Sequence, residues 1–436
     1  MFSSVQAAKP SNIVPVKAGW FLQPAFLFVV TLQSQYFHTA SPNSKSGCHH
    51  MKRRKFLQTS AGILAVAVSP GLWQCAKPES TVQNIDFEEY RPDETLGNIM
   101  KITPDDGFYI HTFYDVCPWS PSQRYLAVNK LPFQDRKPQL GDVMDICIID
   151  LQERTIETVY STKAWGMQIG GNLNWGDTDR YLYTNDVIDG QGVCVRIDLE
   201  SEERRAFAGP MYDVAPDASS VAAFPLDLIY HTQSGYGMPA DPENPRTISG
   251  APSDKGLIKT DLQSNEAEVI VTLAQIAERV PEPEYYQGGN FYFFHTKYSP
   301  KNNRIMQVVR VLFPEDMPDK SGWNPQLFTF NTDGSDIQLA IGRELWATGG
   351  NHPNWHPDGE HLIMNLTPDG ENRRFCQFRY DGSDFKILTE KFLGSGHPFI
   401  EPEGRYIITD TYVRRGWPNE KGEEPIRLID LSAEEE

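Results

Sequence analysis

The chain has 436 residues, of which 33 are Gly and 32 Pro; 11% are aromatic, 39% apolar and 22% charged. That aromatic content excludes a disordered chain, the evenly spread helix breakers exclude a helical bundle, and no apolar run beyond residue 75 approaches the roughly 18 residues of a membrane span. One large all-β domain, or two smaller ones, remains.

Charge is distributed unevenly. Residues 1–75 carry seven basic side chains (Lys9, Lys17, Lys45, Lys52, Arg53, Arg54, Lys55) and no acidic one, leaving 33 basic and 58 acidic groups, a formal −25, on the rest. A body that acidic repels phosphate backbones, so nucleic acid is excluded as a partner. An anionic polymer would need a local cationic patch or a metal ion.

The N-terminal region reads as an address. Met51-Lys52-Arg53-Arg54-Lys55-Phe56-Leu57-Gln58 supplies a basic head, residues 59–68 a short apolar stretch, and Ser69-Pro70-Gly71 a small-residue boundary. This is the layout of an export signal, and the paired arginines followed by Phe56 and Leu57 resemble a twin-arginine signal. Leu72-Trp73-Gln74-Cys75 has the spacing of a lipoprotein box but carries Gln74 where a small residue is expected. A lipid anchor at Cys75 and plain export to the periplasm both stay open. Because a complete signal begins at Met51, residues 1–50, with an apolar patch at 20–32 broken by Pro24, read as a mis-called upstream extension. Residues 76–107 read as a linker with a candidate ring-closing strand, 108–431 as the folded body and 432–436 as an acidic tail.

The body repeats itself six times. The units begin at Val116-Cys117-Pro118-Trp119-Ser120-Pro121, Asn172-Leu173-Asn174-Trp175-Gly176-Asp177, Met211-Tyr212-Asp213-Val214-Ala215-Pro216, His295-Thr296-Lys297-Tyr298-Ser299-Pro300, His352-Pro353-Asn354-Trp355-His356-Pro357 and His397-Pro398-Phe399-Ile400-Glu401-Pro402. Each turn leads into an alternating strand (124–128, 180–184, 220–224, 304–308, 361–365, 405–409), and a third strand follows. Several short strands per unit of about 40–60 residues predict a β-propeller of four-stranded blades. A β-sandwich would not repeat one turn motif six times. The 235–252 and 274–286 stretches read as insertions or an inter-blade helix. Cys117, Cys147, Cys194 and Cys376 lie in strand-like runs without C-x-x-C pairs and read as free thiols.

Histidine supplies the chemistry. Five residues before the turn proline, units four, five and six place His295, His352 and His397, where the first three units have Val116, Asn172 and Met211. If this register opens each innermost strand, three successive blades aim imidazoles at one end of the channel, a donor set for a divalent metal with open positions. His356 and His361 read as turn or surface residues. His111 and His231 end strand-like stretches and are candidates for the channel mouth, His111 as a substrate contact and His231 as a base. Arg310 and Arg414 are candidates for clamping a carboxylate bidentately, and Gln168 for a polar channel contact. Nucleophile-elbow, zincin, Walker and dinucleotide fingerprints are absent.

The segments Asp115-Val116-Cys117-Pro118-Trp119-Ser120-Pro121, Asn351-His352-Pro353-Asn354-Trp355-His356-Pro357-Asp358-Gly359, Gly396-His397-Pro398-Phe399 and Asp410-Thr411-Tyr412 resemble the oligogalacturonate lyases and their TolB-like propeller relatives. The resemblance implies seven blades, a histidine-held divalent cation (Mn or Zn), an acidic oligosaccharide substrate and cleavage of uronate linkages by β-elimination. Only six units are visible, so the ring is either completed by strands from 83–110 or incomplete at its C-terminal end. In the expected mechanism the cation on His295, His352 and His397, with Arg310 or Arg414, neutralises the substrate carboxylate, and His231 or Tyr412 takes the C5 proton. The rival expectation is a non-catalytic TolB-like propeller that binds a glycan or protein. A propeller glycosidase would need a carboxylate pair, for which Asp115, Asp213 and Asp410 are the candidates.

Overall fold

The computed structural model describes residues 82–90, 99–233, 235–239, 241, 243, 246–411 and 425–435. Glu88–Glu89 and Met100–Lys101 pair as a short hairpin within a small unit of their own, where Lys101 Nζ lies 3.8 Å from Glu88. The larger unit holds six antiparallel sheets in chain order, the blades of a propeller. No helix among the described residues is long and apolar enough to cross a membrane.

Blade 1 comprises Phe108–Ile110, Tyr125–Leu131, Met144–Asp150 and Thr155–Thr162, with Gln83–Asn84 added as a fifth strand outside Thr155–Thr162. Blade 2 comprises Asn174–Trp175, Tyr181–Ile188, Gln191–Asp198 and Arg204–Ala206. Blade 3 follows with Asp213–Val214, Ser220–Ala223, Gly256–Asp261 and Ala267–Thr272. Blade 4 is built from Asn290–Tyr298, Arg304–Leu312, Gln326–Asn331 and Gln338–Ile341, and blade 5 from Gly350–Trp355, His361–Leu366, Arg374–Arg379 and Lys386–Ile387. Blade 6 shows three described strands, Phe399–Ile400, Tyr406–Thr409 and Arg427–Asp430. Thus six blades, each arising from one sequence unit, stand among the described residues. The two inserted stretches flank short helices: Leu226–Thr232 lies within blade 3, and Leu273–Ala277 opens with a Thr272/Gln275 capping box just after it.

Alternation explains the packing. Every second strand residue faces a neighbouring blade, and because both faces are covered the central strands read as near-continuous apolar runs. Ile305, Val309, Leu327, Phe328 and Phe330 of blade 4 and Leu362, Met364 and Phe378 of blade 5 are fully buried in one continuous apolar cluster. Blades 1, 2 and 6 also carry a polar fastening at the turn end. Arg124, Arg180 and Arg405 open second strands and grip Asp150, Asp198 and Asp430 at the ends of third strands through Nε and Nη2. The free thiols Cys147, Cys194 and Cys376 are buried, while Cys117 is exposed.

The far side of blade 6 is different. Phe399, Ile408 and Leu428 lie directly opposite one another across its three strands, and Phe399 and Leu428 are exposed. Replacement of Phe328 by Ala should lower the unfolding free energy by about 3–5 kcal/mol through the cavity it leaves. Phe399→Ala should change it by no more than about 0.5 kcal/mol. Denaturant midpoints of the two variants check this contrast; equal losses would contradict the packing.

Candidate active site

The histidine register is a bulge within the inner strand. In blade 4 the strand begins at Asn290, five residues before His295, and its pairing with the second strand shifts between Phe294 and Thr296. In blade 5 the shift falls between Asn351 and Asn354, around His352. Asn172, His295 and His352 all adopt left-handed backbone, with φ of 60°, 67° and 56°. Such a conformation costs on the order of 1–3 kcal/mol in a non-glycine residue, and a bulge re-aims the side chain that it carries. In blade 2 the same position holds Asn172, whose Nδ2 donates to the carbonyls of Met211 and Tyr212 and closes off the site. In blade 6 the left-handed residue is Gly396, where a Cβ would come within 2.0 Å of the Asp410 carbonyl. The residue after it is His397.

His352 and His397 form a pair. Their rings stack with centroids 3.8 Å apart and planes 29° from parallel. His352 Nδ1 donates to the Gly396 carbonyl at 2.8 Å, and a carbonyl can only accept, so the lone pair sits on Nε2. His397 Nδ1 faces both oxygens of Asp410 at 3.0 Å, and its backbone N–H donates to the same carboxylate. Burial would raise the Asp410 carboxyl, but the hydrogen bonds from the His397 side chain and backbone help to outweigh it and hold it below the usual range. Burial pushes His352 well below its ordinary value, and the adjacent His397 adds to the shift. Pinning Nδ1 by a carbonyl or a carboxylate is how proteins orient imidazoles whose Nε2 binds a metal.

His295 has another job. The loop between Ile110 and Trp119 leaves blade 1 and crosses to the opposite blades. Its Tyr114 hydroxyl donates to the Pro353 carbonyl at 2.8 Å in blade 5 and therefore accepts from His295 Nε2 at 3.2 Å. Asp115 lies 3.3 Å from that same nitrogen, and the Tyr212 hydroxyl donates to Nδ1 at 3.2 Å. Both ring nitrogens are thus occupied by the protein. Burial lowers the pKa of His295, with Asp115 only partly offsetting it. Two residues further on, Lys297 Nζ stands 3.9 Å from Asp115 and 3.3 Å from Asp213. Burial works against the Lys297 charge, but the two carboxylates more than compensate and raise its pKa. The ring of Tyr114 lies 4.7, 5.3 and 5.9 Å from those of His397, His352 and His295. All three imidazoles therefore gather around one tyrosine, but not as three equivalent ligands. No group of three His, Cys, Asp or Glu side chains among the described residues is arranged to hold a metal ion. The donor chemistry fits a divalent cation at His352 and His397; in this arrangement it does not fit His295.

The other candidates scatter. His111 joins the cluster: its Nδ1 is buried without a hydrogen-bond partner, burial lowers its pKa, and Asp115 and His397 both act on it electrostatically. Arg310 is buried, with its guanidinium between the rings of Phe294 and Trp323 at 4.2 and 4.1 Å. Nη1 donates to the Thr232 carbonyl and to Gln233 Oε1 at 3.1 and 2.6 Å. Burial brings its pKa down to about 10. His231 is exposed at the end of helix Leu226–Thr232, one residue before Arg310's carbonyl partner. Gln168 is half-buried, and its backbone N–H donates to Gly235. Tyr412, Arg414 and Cys75 lie outside the described residues, as does the export signal. His356 and His361 share Asp358 in the turn of blade 5, as the sequence implies. Asp115 and Asp213 do approach one another, but through the Lys297 ammonium between them, which is the arrangement of a structural ion network.

Tyr114, Tyr212 and Lys297 were not singled out by sequence. Tyr212 and Lys297 lie within two residues of the repeat register, which is the signal that would have drawn attention to them. Tyr114 lies two residues before Val116, the register position of the first unit, on the side of the register that precedes the repeat.

No family model and no curated protein matches the chain. Among solved structures, the oligogalacturonate lyase of Vibrio parahaemolyticus is similar with a TM-score of 0.54 and 14% identity, over 82% of this chain and 85% of that one. An oligogalacturonate lyase in complex with manganese gives a TM-score of 0.54 and 15% identity, over 82% of this chain and 84% of that one. The chain has the oligogalacturonate lyase fold. At that identity the likeness concerns architecture, and the chemistry rests on the side chains described above.

Depressed pKa values at His111, His295 and His352 carry a consequence for stability. The unfolded chain protonates these imidazoles near 6.5 while the native state resists, so stability is present above that pH and is lost as pH falls through it. With chelator present, each histidine should add up to about 1.4 kcal/mol per pH unit to the slope below pH 6.5. Unfolding midpoints between pH 7.5 and 5 measure it, and His352→Gln should flatten the curve. A wild-type midpoint that is insensitive to pH would refute the neutral burial of these rings.

Proposed function

We propose that this chain is an exported lyase of uronate-containing oligosaccharides, acting by β-elimination with help from a divalent cation. The observation that supports the reading is the stacked His352–His397 pair, each ring oriented through its Nδ1 by the Gly396 carbonyl or the Asp410 carboxylate. A bound divalent cation supplies Lewis-acid neutralisation of the uronate carboxylate, which is what makes the C5 proton removable. His352 and His397 would hold the ion, with Mn or Zn suited to imidazole donors. His295 becomes a third ligand only if Tyr114 and Asp115 release its Nε2; while they hold it, it positions the Tyr114 loop.

The chain's own residues supply the remaining parts. Arg310 offers a guanidinium to a substrate carboxylate and so lowers the cost of charge building at C5. His231, exposed at the end of helix Leu226–Thr232, is the proposed general base that accepts the proton. As the C5–H bond breaks, its electron pair forms the C4=C5 double bond, and the C4–O bond breaks with the electrons leaving on oxygen. His111 and Gln168 are proposed substrate contacts, and Tyr412 and Arg414, two and four residues beyond Asp410, are proposed to act from the segment that follows it. The twin-arginine-type signal from Met51 supports export to the periplasm or, through Cys75, to the cell surface.

A second reading, a propeller that binds a glycan or protein without chemistry, is favoured by the placement of His295, both of whose nitrogens are taken by the protein. Substrate turnover separates the two. Incubation of the chain with galacturonate oligomers and Mn2+ should generate the ultraviolet absorbance of an unsaturated uronate, and His352→Ala should reduce the rate by roughly a hundredfold or more. Asp410→Asn, which removes the partner of His397, should weaken cation affinity about 10–100-fold by calorimetry. No product with any divalent cation, or an unimpaired His352→Ala enzyme, rejects the lyase.

A further inference from the structure

The turn after the third strand of blade 6 is built like those of blades 2 and 3. Asp198, Asp261 and Asp430 are each followed by leucine and, five residues on, by glutamate. The residue before that glutamate (Glu202, Asn265 or Glu434) is left-handed, with φ of 60°, 65° and 53°. In each turn the aspartate N–H donates to the glutamate carbonyl, at 3.0, 2.9 and 2.8 Å. In blades 2 and 3 this bond leads straight into a fourth strand. There the residue two before the aspartate has a partner in that strand, Arg196 opposite Arg205 and Lys259 opposite Glu268. In blade 6 the equivalent residue is Leu428, and no fourth strand stands beside it among the described residues.

The ladder shows which way Leu428 faces. Residues of an antiparallel strand bond alternately to the neighbour on one side and to the side opposite. Leu431 N–H donates to the Arg405 carbonyl at 2.8 Å, so Arg427 and Ile429 face Tyr406–Thr409, while Leu428 and Asp430 face outward. Both backbone groups of Asp430 are bonded to Glu435, the Glu435 N–H donating back at 3.2 Å. The N–H and carbonyl of Leu428 make no hydrogen bond among the described residues. An edge of this kind is a template for one more strand.

The side chains around the edge say what that strand carries. Leu428 shares an accessible face with Phe399 and Ile408, and Ile426 beside it is exposed, whereas Ile400, Ile407 and Ile429 bury the other face. An incoming strand gains by setting apolar side chains on the Leu428 face. Its end beside the turn meets Glu434 and Glu435, both exposed, on a body whose residues beyond 75 hold 33 basic and 58 acidic groups. Basic residues complement that end, and a second copy of the chain, bringing the same acidic turn, is repelled.

We propose that the Leu428 edge of blade 6 is a docking site for an extended, basic segment of a partner protein, which adds a strand antiparallel to Arg427–Asp430. The segment sets lysine or arginine beside Glu434 and Glu435 and alternates apolar residues along Leu428. The site stands apart from the lyase reading, because neither Leu428 nor the acidic turn takes part in that chemistry.

The probe is an octapeptide, labelled at its C-terminus, with two leading lysines followed by alternating valine and threonine; its counterpart carries glutamates for the lysines. Fluorescence anisotropy at low ionic strength should show saturable binding of the lysine peptide to the chain, and at least roughly tenfold weaker binding of the glutamate peptide. Leu428→Pro deletes the outward N–H and leaves the bonds to Tyr406–Thr409 in place, since proline is tolerated at a strand edge. It should weaken the lysine peptide about fivefold or more. Glu434→Lys combined with Glu435→Lys changes only exposed side chains and should reverse the preference between the peptides. Absence of saturable binding, equal affinity for the two peptides, or binding that neither variant alters would overturn the site. A dimer of the chain that Leu428→Pro dissociates would overturn it as well, by giving the edge to a second copy.

Discussion

The site depends on a carboxylate placed where water cannot reach it. The Asp115 side chain is almost wholly buried near the axis, facing His295 Nε2 and the Lys297 ammonium. Its Oδ2 makes no hydrogen bond among the described residues, so the buried charge is offset electrostatically, by Lys297 at 3.9 Å, with the His295 ring at 3.3 Å. The loop that carries it links blade 1 to blades 4 and 5 through Tyr114. With Lys297 also reaching Asp213, four blades share one buried polar network. The network ties the inner strands together at the channel, where apolar packing between blades gives way to polar side chains.

Around this network the inner strands deviate from regular pairing at one recurring position. Left-handed backbone at Asn172, His295 and His352 turns each side chain inward. In blade 2 the turned residue is an amide that binds neighbouring carbonyls; in blades 4 and 5 it is an imidazole. The same backbone device therefore serves structure in one blade and chemistry in others, and the side chain decides which. His352 and His397 then differ from His295 through their neighbours: a carbonyl and a carboxylate engage their Nδ1 atoms, whereas two tyrosines and an aspartate face both nitrogens of His295.

Arginine shows the same dependence on surroundings. Three arginines at strand starts are completed by aspartates of their own blades and fasten the turns. Arg310 enters the body of the second strand of blade 4, where its neighbours are rings and a carbonyl. One residue type thus gives an aspartate-bound fastening in one place and a buried cation among rings in another.

The sequence by itself determined the architecture, because alternation and turn chemistry are local and recur with each blade; the second strand of blade 5, His361–Leu366, begins where its expected span 361–365 begins. It also marked His295, His352 and His397, since a register that repeats makes equivalent residues neighbours around an axis. Only the tertiary structure decided their roles. Tyr114 and Asp115 reach His295 across 180 residues or more of chain, and Gly396 reaches His352 from the next blade. A tautomer is set by whichever group faces the ring, and that group is chosen by the closing of the propeller, to which no spacing within one unit refers.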